Sequence, residues 1–179
     1  MMRGIRHGLN LSPDEVKLAD ENCLYLPCND LAGDGLLAIL PKWLERYRPD
    51  LVRLNPLNSY IGCDVSDQGA VTQFLRSILN PILEKHRCGF VGTHHTTKTV
   101  NRDTSKWRPS DWAYSYAGSA EMANWARAIM VIDPTHDPKV FKFYAAKRGK
   151  RLEWGGPDDE PVYMRYFKHS RKHIFWVEA

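Results

Sequence analysis

The sequence predicts an α/β fold: a mostly parallel sheet flanked by helices, with an antiparallel hairpin at the C-terminal end. Three observations predict it. Apolar residues recur at helical spacing over 34–48 and again over 69–86. Each of these stretches leads directly into a short β-rich run, 51–54 and 89–93. After residue 128 the helical period is gone, and strand-like runs follow one another at 128–132, 140–146, 162–168 and 173–177. Helix alternating with strand, then strands alone, describes a sheet that begins parallel and ends antiparallel.

Ser12-Pro13-Asp14-Glu15 opens the first helix with an N-cap side chain, a proline at the first helical position and acids in the first turn. That helix ends by Glu21 or Asn22, and Cys23-Leu24-Tyr25-Leu26-Pro27 then reads as a short strand whose proline suits a sheet edge. In 34–48, Leu36, Leu37, Leu40, Leu44 and Tyr47 share one face while Lys42, Glu45, Arg46 and Arg48 fall largely elsewhere. Pro41 predicts a kink or a late start. Asp64 and Asp67 read as caps for the helix 69–86, whose inner side carries Val71, Phe74, Leu75, Ile78, Leu79, Ile82 and Leu83 and which Pro81 interrupts. The segment 96–117 has neither period and is a long loop, a feature that in a compact domain is usually functional or mobile. A small-residue helix, 119–128, carries Glu121, Asn124 and Arg127 on one face, with Glu121 and Asn124 expected to pair within it. The stretch 149–159 is turn-rich, and 160–179 forms the closing hairpin.

The 179 residues fit one domain, and 43% hydrophobic with 26% charged residues excludes collagen-like, low-complexity and largely disordered chains. A net charge of +4 is too small to signal nucleic acid by itself, so the placement of charge matters more. No window reaches the ~20 apolar residues of a membrane span, and the basic N-terminus lacks the apolar core of a signal peptide. Cys23, Cys28, Cys63 and Cys88 form no CxxC pair. They read as reduced thiols of a cytoplasmic protein, and no metal site is expected.

Two strand tips concentrate polar groups. The first strand ends in Asn55, and the second in Thr93-His94-His95-Thr96; ligands of open α/β sheets bind at such tips. Asn55 also has a plainer reading, a turn before Pro56, and the two histidines could equally be satisfied by backbone groups. The long loop interleaves Lys98, Arg102, Lys106 and Arg108 with Trp107, Trp112, Tyr114 and Tyr116. Single-stranded nucleic acid calls for that mixture, cations for phosphates and flat rings for bases. The alternative is a surface loop anchored to the core by its two tryptophans. Lys147, Arg148, Lys150 and Arg151 straddle Gly149 at a strand end, where a solvated basic turn is the common outcome.

Four blocks, RPDLVRLNPLNSYIGCDVSD, FLRSILNPILEKHRCGFVGTHHTTK, AGSAEMANWARAIMVI and AAKRGKR, carry a resemblance through their order and spacing. From about Arg3 to Trp154 the chain resembles the RecA-fold P-loop ATPases, and most closely the RepA-like group of plasmid and phage replicative helicase ATPases. The resemblance implies a RecA-like core, ATP and Mg²⁺ as cofactors, single-stranded DNA as partner and a homo-oligomeric ring. It implies that the strand ending at Asn55 is the Walker B strand, which in the family ends in an aspartate holding the water shell of Mg²⁺. It also implies that the His94–His95 pair marks the γ-phosphate sensor, and that Lys147 and Arg148 reach a neighbouring subunit's nucleotide as an arginine finger does. The loop with Lys98, Arg102, Lys106, Trp107 and Arg108 would line the channel and touch DNA.

The chain departs from that pattern twice. Neutral Asn55 stands where the family has aspartate, and is a poorer partner for a hard cation. No GxxxxGK[ST] occurs in the sequence, so it does not encode the amides and lysine that grip the phosphates. The Walker A strand would precede residue 1, and the chain alone is expected not to hydrolyse ATP. Either another polypeptide supplies the Walker A part, or the strands at 90–93 and 129–132 close directly, or the chain is a truncated product; direct closure is the expectation. A part of a helicase ATPase is the first functional reading. The second is a degenerate, non-enzymatic module for single-stranded DNA or ring assembly, and the third a subunit that only oligomerises.

Overall fold

Two short helices open the chain, α1 (Met2–Gly8) and α2 (Pro13–Asn22). The expected cap sets the start of α2. Ser12 Oγ accepts from the Glu15 amide at 3.3 Å, and the Glu15 carboxylate accepts from the Ser12 amide at 2.8 Å, satisfying two amides that a first turn leaves without partners. An ion pair between Arg6 and Asp20 ties α1 to α2. The segment 23–27, expected as a strand, leaves α2 in extended backbone at Cys23 but joins no ladder among the described residues. Leu24 is 58% exposed and Tyr25 85%. Strand propensity alone makes no strand where no edge receives it.

The computed structural model describes residues 2–28, 30–97, 103–156, 158–171 and 174–179. The chain divides into two compact units, one formed by Met1–Pro27 with Ala128–Ala179 and the other by Cys28–Arg127. No helix of the described residues is long and apolar enough to cross a membrane.

Within Cys28–Arg127, the apolar stripe read at 34–48 forms α3 (Asp34–Tyr47), which buries Leu36, Leu40 and Leu44 and stays helical through Pro41. It leads through Arg48, in left-handed conformation, to β1 (Leu51–Leu54) and the short α4 (Asn58–Ile61). Then come α5 (Gln68–Thr72), a π-helical stretch (Gln73–Leu79) and α6 (Asn80–Lys85), consecutive in the chain. The π turn is the form the Pro81 interruption takes. Proline has no N–H, and its ring presses on the carbonyl four residues back; the wider turn, with the Asn80 amide bonding to Leu75 O, relieves both problems ahead of it. Val71, Phe74, Leu75, Leu79 and Leu83 from this run meet the α3 leucines, Leu54, Leu57, Ile61, Cys88 and Met122 in one core. Each fully buried leucine contributes roughly 1.5–3 kcal/mol.

β2 (Gly89–Gly92) pairs parallel with β1 in the register Leu51↔Gly89 to Leu54↔Gly92. Parallel strands need a long crossover, and the helical run supplies it. The short α7 (Glu121–Trp125) is held to that run by the Arg76–Glu121 ion pair and by Trp125 Nε1 donating to Asn80 Oδ1 at 2.8 Å.

In the other unit, β3 (Ile129–Pro134), β4 (Val140–Lys147), β5 (Met164–His169) and β6 (Trp176–Glu178) form an antiparallel sheet in chain order. The link between β3 and β4 is too short for a crossover, so the two make a hairpin. Phe141, Phe143, Phe167 and Trp176 interlock on one face with ring centroids 4.7–5.2 Å apart.

The expected mostly parallel sheet is therefore met only in part among the described residues. The protein is mixed α/β, with one parallel pair and a separate four-stranded antiparallel sheet. Among the described residues β3 pairs with β4 in that sheet. The intervening chain builds local structure: a Thr96↔Tyr116 bridge, a 3₁₀ turn (Pro109–Tyr114) and α7.

Gly33 (φ +50°) and Gly62 (φ +74°) both lie in left-handed backbone, and a Cβ on Gly62 would overlap the Gly33 backbone. The Gly33 amide donates to Tyr60 O at 2.9 Å across this contact, fixing the end of α4 against the start of α3. Gly62→Ala should therefore lower unfolding stability by about 2 kcal/mol or more, from conformation and overlap together. Urea denaturation checks this, with Gly35→Ala in α3, where only Leu31 Cδ2 comes near at 3.7 Å, as the control that stays near the parent.

Candidate functional site

Parallel pairing brings the C-terminal tips of β1 and β2 side by side, and so brings Asn55 to Thr93. The Thr93 amide donates to Leu54 O at 3.1 Å, and the Thr93 hydroxyl donates to Asn55 Oδ1. The Leu57 amide donates to Thr93 O at 2.7 Å, so the chain leaving β1 is pinned to the tip of β2. The Asn55–Pro56 peptide bond is cis. Asn55 is exposed, but its side-chain oxygen is engaged by Thr93 and its NH₂ group only donates. That arrangement does not fit Mg²⁺, which wants free anionic oxygen.

The two histidines are not equivalent. His95 is exposed. His94 lies with its ring centroid 5.6 Å from that of Tyr116, and its Nδ1 sits 3.0 Å from His95 O. His94 Nε2 is shut off from solvent and has no hydrogen-bond partner among the described residues. Burial pushes the His94 pKa below the usual histidine value, against a smaller opposing effect of the His95 carbonyl. The ring is neutral near pH 7, with Nδ1–H donating to that carbonyl and Nε2 holding a buried lone pair.

From His94 the chain folds back on the end of its own loop. The Thr97 amide and hydroxyl both donate to Ser115 O at 2.8 Å. Tyr116 OH donates to Ser119 O at 2.7 Å and accepts from the Ala123 amide at 3.0 Å, tying the loop to α7. The expected Glu121–Asn124 pair is not formed. Glu121 is buried against Arg76, and Asn124 Oδ1 accepts from Tyr114 OH at 3.2 Å. Asp67 caps α5 as expected, accepting from the Ala70 amide at 3.0 Å. Asp64 holds a local turn instead, accepting from the amide and hydroxyl of Ser66.

In the loop, Lys98 and Arg102 lie outside the described residues. Trp112 is buried, and the half-buried Trp107 packs edge-on against it, centroids 5.0 Å apart. The anchoring role weighed for the tryptophans is therefore what the geometry gives Trp112, with Trp107 leaning on it. The Arg108 amide donates to Asp111 Oδ2 at 2.8 Å and starts the 3₁₀ turn. The same contact holds the Asp111 carboxyl below its ordinary range. The Arg108 side chain is 80% exposed, Tyr114 is 56% exposed, and Lys106 is exposed. The solvent-facing set is thus two cations and a phenol ring on a turn stiffened from beneath.

Lys147 and Arg148 belong to the other unit. Lys147 ends β4, and Arg148 takes left-handed backbone (φ +55°). Gly149 follows because a Cβ there would meet Ala145 Cβ at 2.6 Å and Tyr163 Cδ1 at 2.7 Å. Lys150 and Arg151 lie exposed on the 3₁₀ turn Gly149–Leu152. Among the described residues no three His, Cys, Asp or Glu side chains converge as a metal site. The partners missed in the sequence were Thr93, Tyr116 and Arg76. Only Thr93, beside the histidines at a strand tip, carried a signal that could have found it.

No protein-family model matches the chain, and no curated protein matches it. Among solved structures, the chain is similar to one described as the crystal structure of the RadB recombinase, at 14% identity and a TM-score of 0.48, over 94% of this chain and 74% of that one.

Because folding lowers the His94 pKa, the unfolded chain, whose histidines titrate near ~6.5, takes up the proton first as pH falls. The His94 contribution is complete above about pH 6.5 and is lost progressively below it. Unfolding midpoints followed from neutral to mildly acidic pH should fall less steeply for His94→Gln than for the parent. Equal slopes would mean that His94 titrates as an exposed histidine does.

Proposed function

We propose that this chain is a RepA-like module with a RecA-type core that binds single-stranded DNA and does not hydrolyse ATP by itself. One observation carries the non-hydrolysing part: Asn55, at the position of the family's Walker B aspartate, has its side-chain oxygen engaged by Thr93. A neutral side chain so engaged does not hold a hydrated cation, and the sequence has no GxxxxGK[ST] to grip phosphates. The buried Nε2 of His94 faces no solvent from which a phosphate could approach, which leaves His95 as the exposed member of the pair. The chain's own residues do not fit ATP and Mg²⁺, and no step through them is derived.

DNA binding rests on Lys106, Arg108 and Tyr114, exposed on a turn anchored by Trp112. The cations track phosphates, and the ring offers a face on which a base can stack. Lys98 and Arg102 belong to the same proposed contact by sequence. Lys147 and Arg148 act across a subunit boundary in a homo-oligomeric ring, and the four free thiols suit a cytoplasmic setting. A second reading, an ATPase core whose phosphate grip comes from another polypeptide, is favoured by the outer edge of β2, which no strand among the described residues pairs.

Fluorescence anisotropy with a labelled oligo(dT) tests DNA binding. Lys106→Ala with Arg108→Ala should weaken binding and flatten its dependence on log salt by about 1.4, while the unfolding midpoint stays at the parent value. Trp107→Ala should lower both binding and stability, because that ring supports Trp112. Absence of binding by the parent, or an unchanged salt slope in the double variant, contradicts the proposal. Steady ATP turnover by the purified chain alone contradicts its non-hydrolysing part.

A further inference from the structure

A short ladder closes the two ends of the long loop. The Thr97 amide and hydroxyl both donate to Ser115 O, Thr96 bridges Tyr116, and the Ala117 amide donates to His95 O at 3.5 Å. Ser115 is buried and its hydroxyl donates to Trp112 O at 2.8 Å, so the ladder runs directly into the anchor of the exposed turn. All of these groups lie within Cys28–Arg127.

The His94 ring caps this ladder. Its Nδ1 sits 3.0 Å from His95 O, the carbonyl that the Ala117 amide also reaches, and the ring is tilted 51° to that of Tyr116, centroids 5.6 Å apart. Such a place suits a neutral imidazole, which has one N–H to satisfy. Protonation adds a second N–H at Nε2, which meets neither solvent nor a partner among the described residues.

No counter-charge faces the ring either. On its own segment the neighbour is His95, whose charge opposes a second one beside it. From the loop, Tyr116 presents a phenol engaged with Ser119 O and the Ala123 amide. Tyr114 and Glu121 lie near Tyr116, the first bonded to Asn124 and the second paired with Arg76. A charge buried without a partner is costly. The ring can hold its second proton favourably only by leaving Tyr116 for water.

We propose that His94 is a proton-operated latch on the loop: neutral, it holds 95–97 against 115–117, and protonated, it swings into solvent and the ladder loosens. The inference rests on the proposed DNA contact for its consequence, because the exposed Lys106, Arg108 and Tyr114 lie on the segment so closed. If the closed form is the one that binds, a single proton competes with DNA. Affinity then falls, as pH drops through the His94 transition, by up to about tenfold per pH unit.

NMR of the dilute His95→Gln chain, in which His94 is the histidine left at the strand tip, follows the latch without DNA. Cross-relaxation between the His94 and Tyr116 rings should vanish on acidification with the midpoint of the His94 ring resonances. The Thr97 and Ala117 amide resonances should move with the same midpoint. Rings that stay in contact once His94 is protonated, or amides that do not follow it, overturn the proposal. Oligo(dT) anisotropy from neutral to mildly acidic pH reads the consequence. The ratio of parent to His94→Gln affinity cancels the histidines that the two chains share, and it should fall severalfold; a flat ratio overturns the proposal as well. Spectra that switch in a chain binding no oligo(dT) at any pH would support the latch and refute the DNA contact.

Discussion

The parallel pairing of β1 with β2 is the constraint on which the Cys28–Arg127 unit depends. Two four-residue strands cannot hold each other in water. They hold because Leu54 and Cys88 sit in the same core as the α3 leucines and the helical run from α5 to α6. The pairing sets where the tips lie, and the tips set Asn55 against Thr93 and send His94 back under Tyr116. It also turns the backbone N–H and C=O groups of Phe90 and Gly92 away from β1.

Local signals were legible where local physics decides. The leucine stripe of α3, the Ser12–Glu15 box, the Asp67 cap and the runs that became β1 and β2 follow from side-chain period and capping chemistry, which act within a turn or two. The sheet arrangement was not legible, because strand order is a long-range property. The residues of β3 and β4 look the same whether they continue a parallel sheet or fold into a hairpin; the short link between them was the available clue. Segment 23–27 failed as a strand for the same reason, since its residues are strand-like but no ladder among the described residues takes them up. Pro81 announced a disturbance, but a π turn and a kink have the same sequence signature.

The candidate site was half legible. The sequence placed Asn55 and the histidine pair at strand tips, and parallel pairing confirmed that Asn55 and the β2 tip meet. It could not show that the Thr93 hydroxyl would engage Asn55, or that two adjacent histidines would differ so much in burial. The second depends on Tyr116, which packs on His94 after returning from the far side of a long loop. In that loop the mixture of cations and rings was plain, yet the sequence could not divide it into Trp112 as anchor, Trp107 as support, and Lys106, Arg108 and Tyr114 as the exposed set. Glu121 was assigned to the wrong partner because its real one, Arg76, lies on a helix that only the tertiary fold brings near.

Backbone amide exchange along β2, measured by NMR on the dilute chain, tests the parallel pairing of β1 with β2 most directly. The account predicts slow exchange at Gly89, Val91 and Thr93, whose amides face β1, and fast exchange at Phe90 and Gly92. Fast exchange at Val91 and Thr93 would mean that β1 and β2 do not pair in this register, and would contradict it.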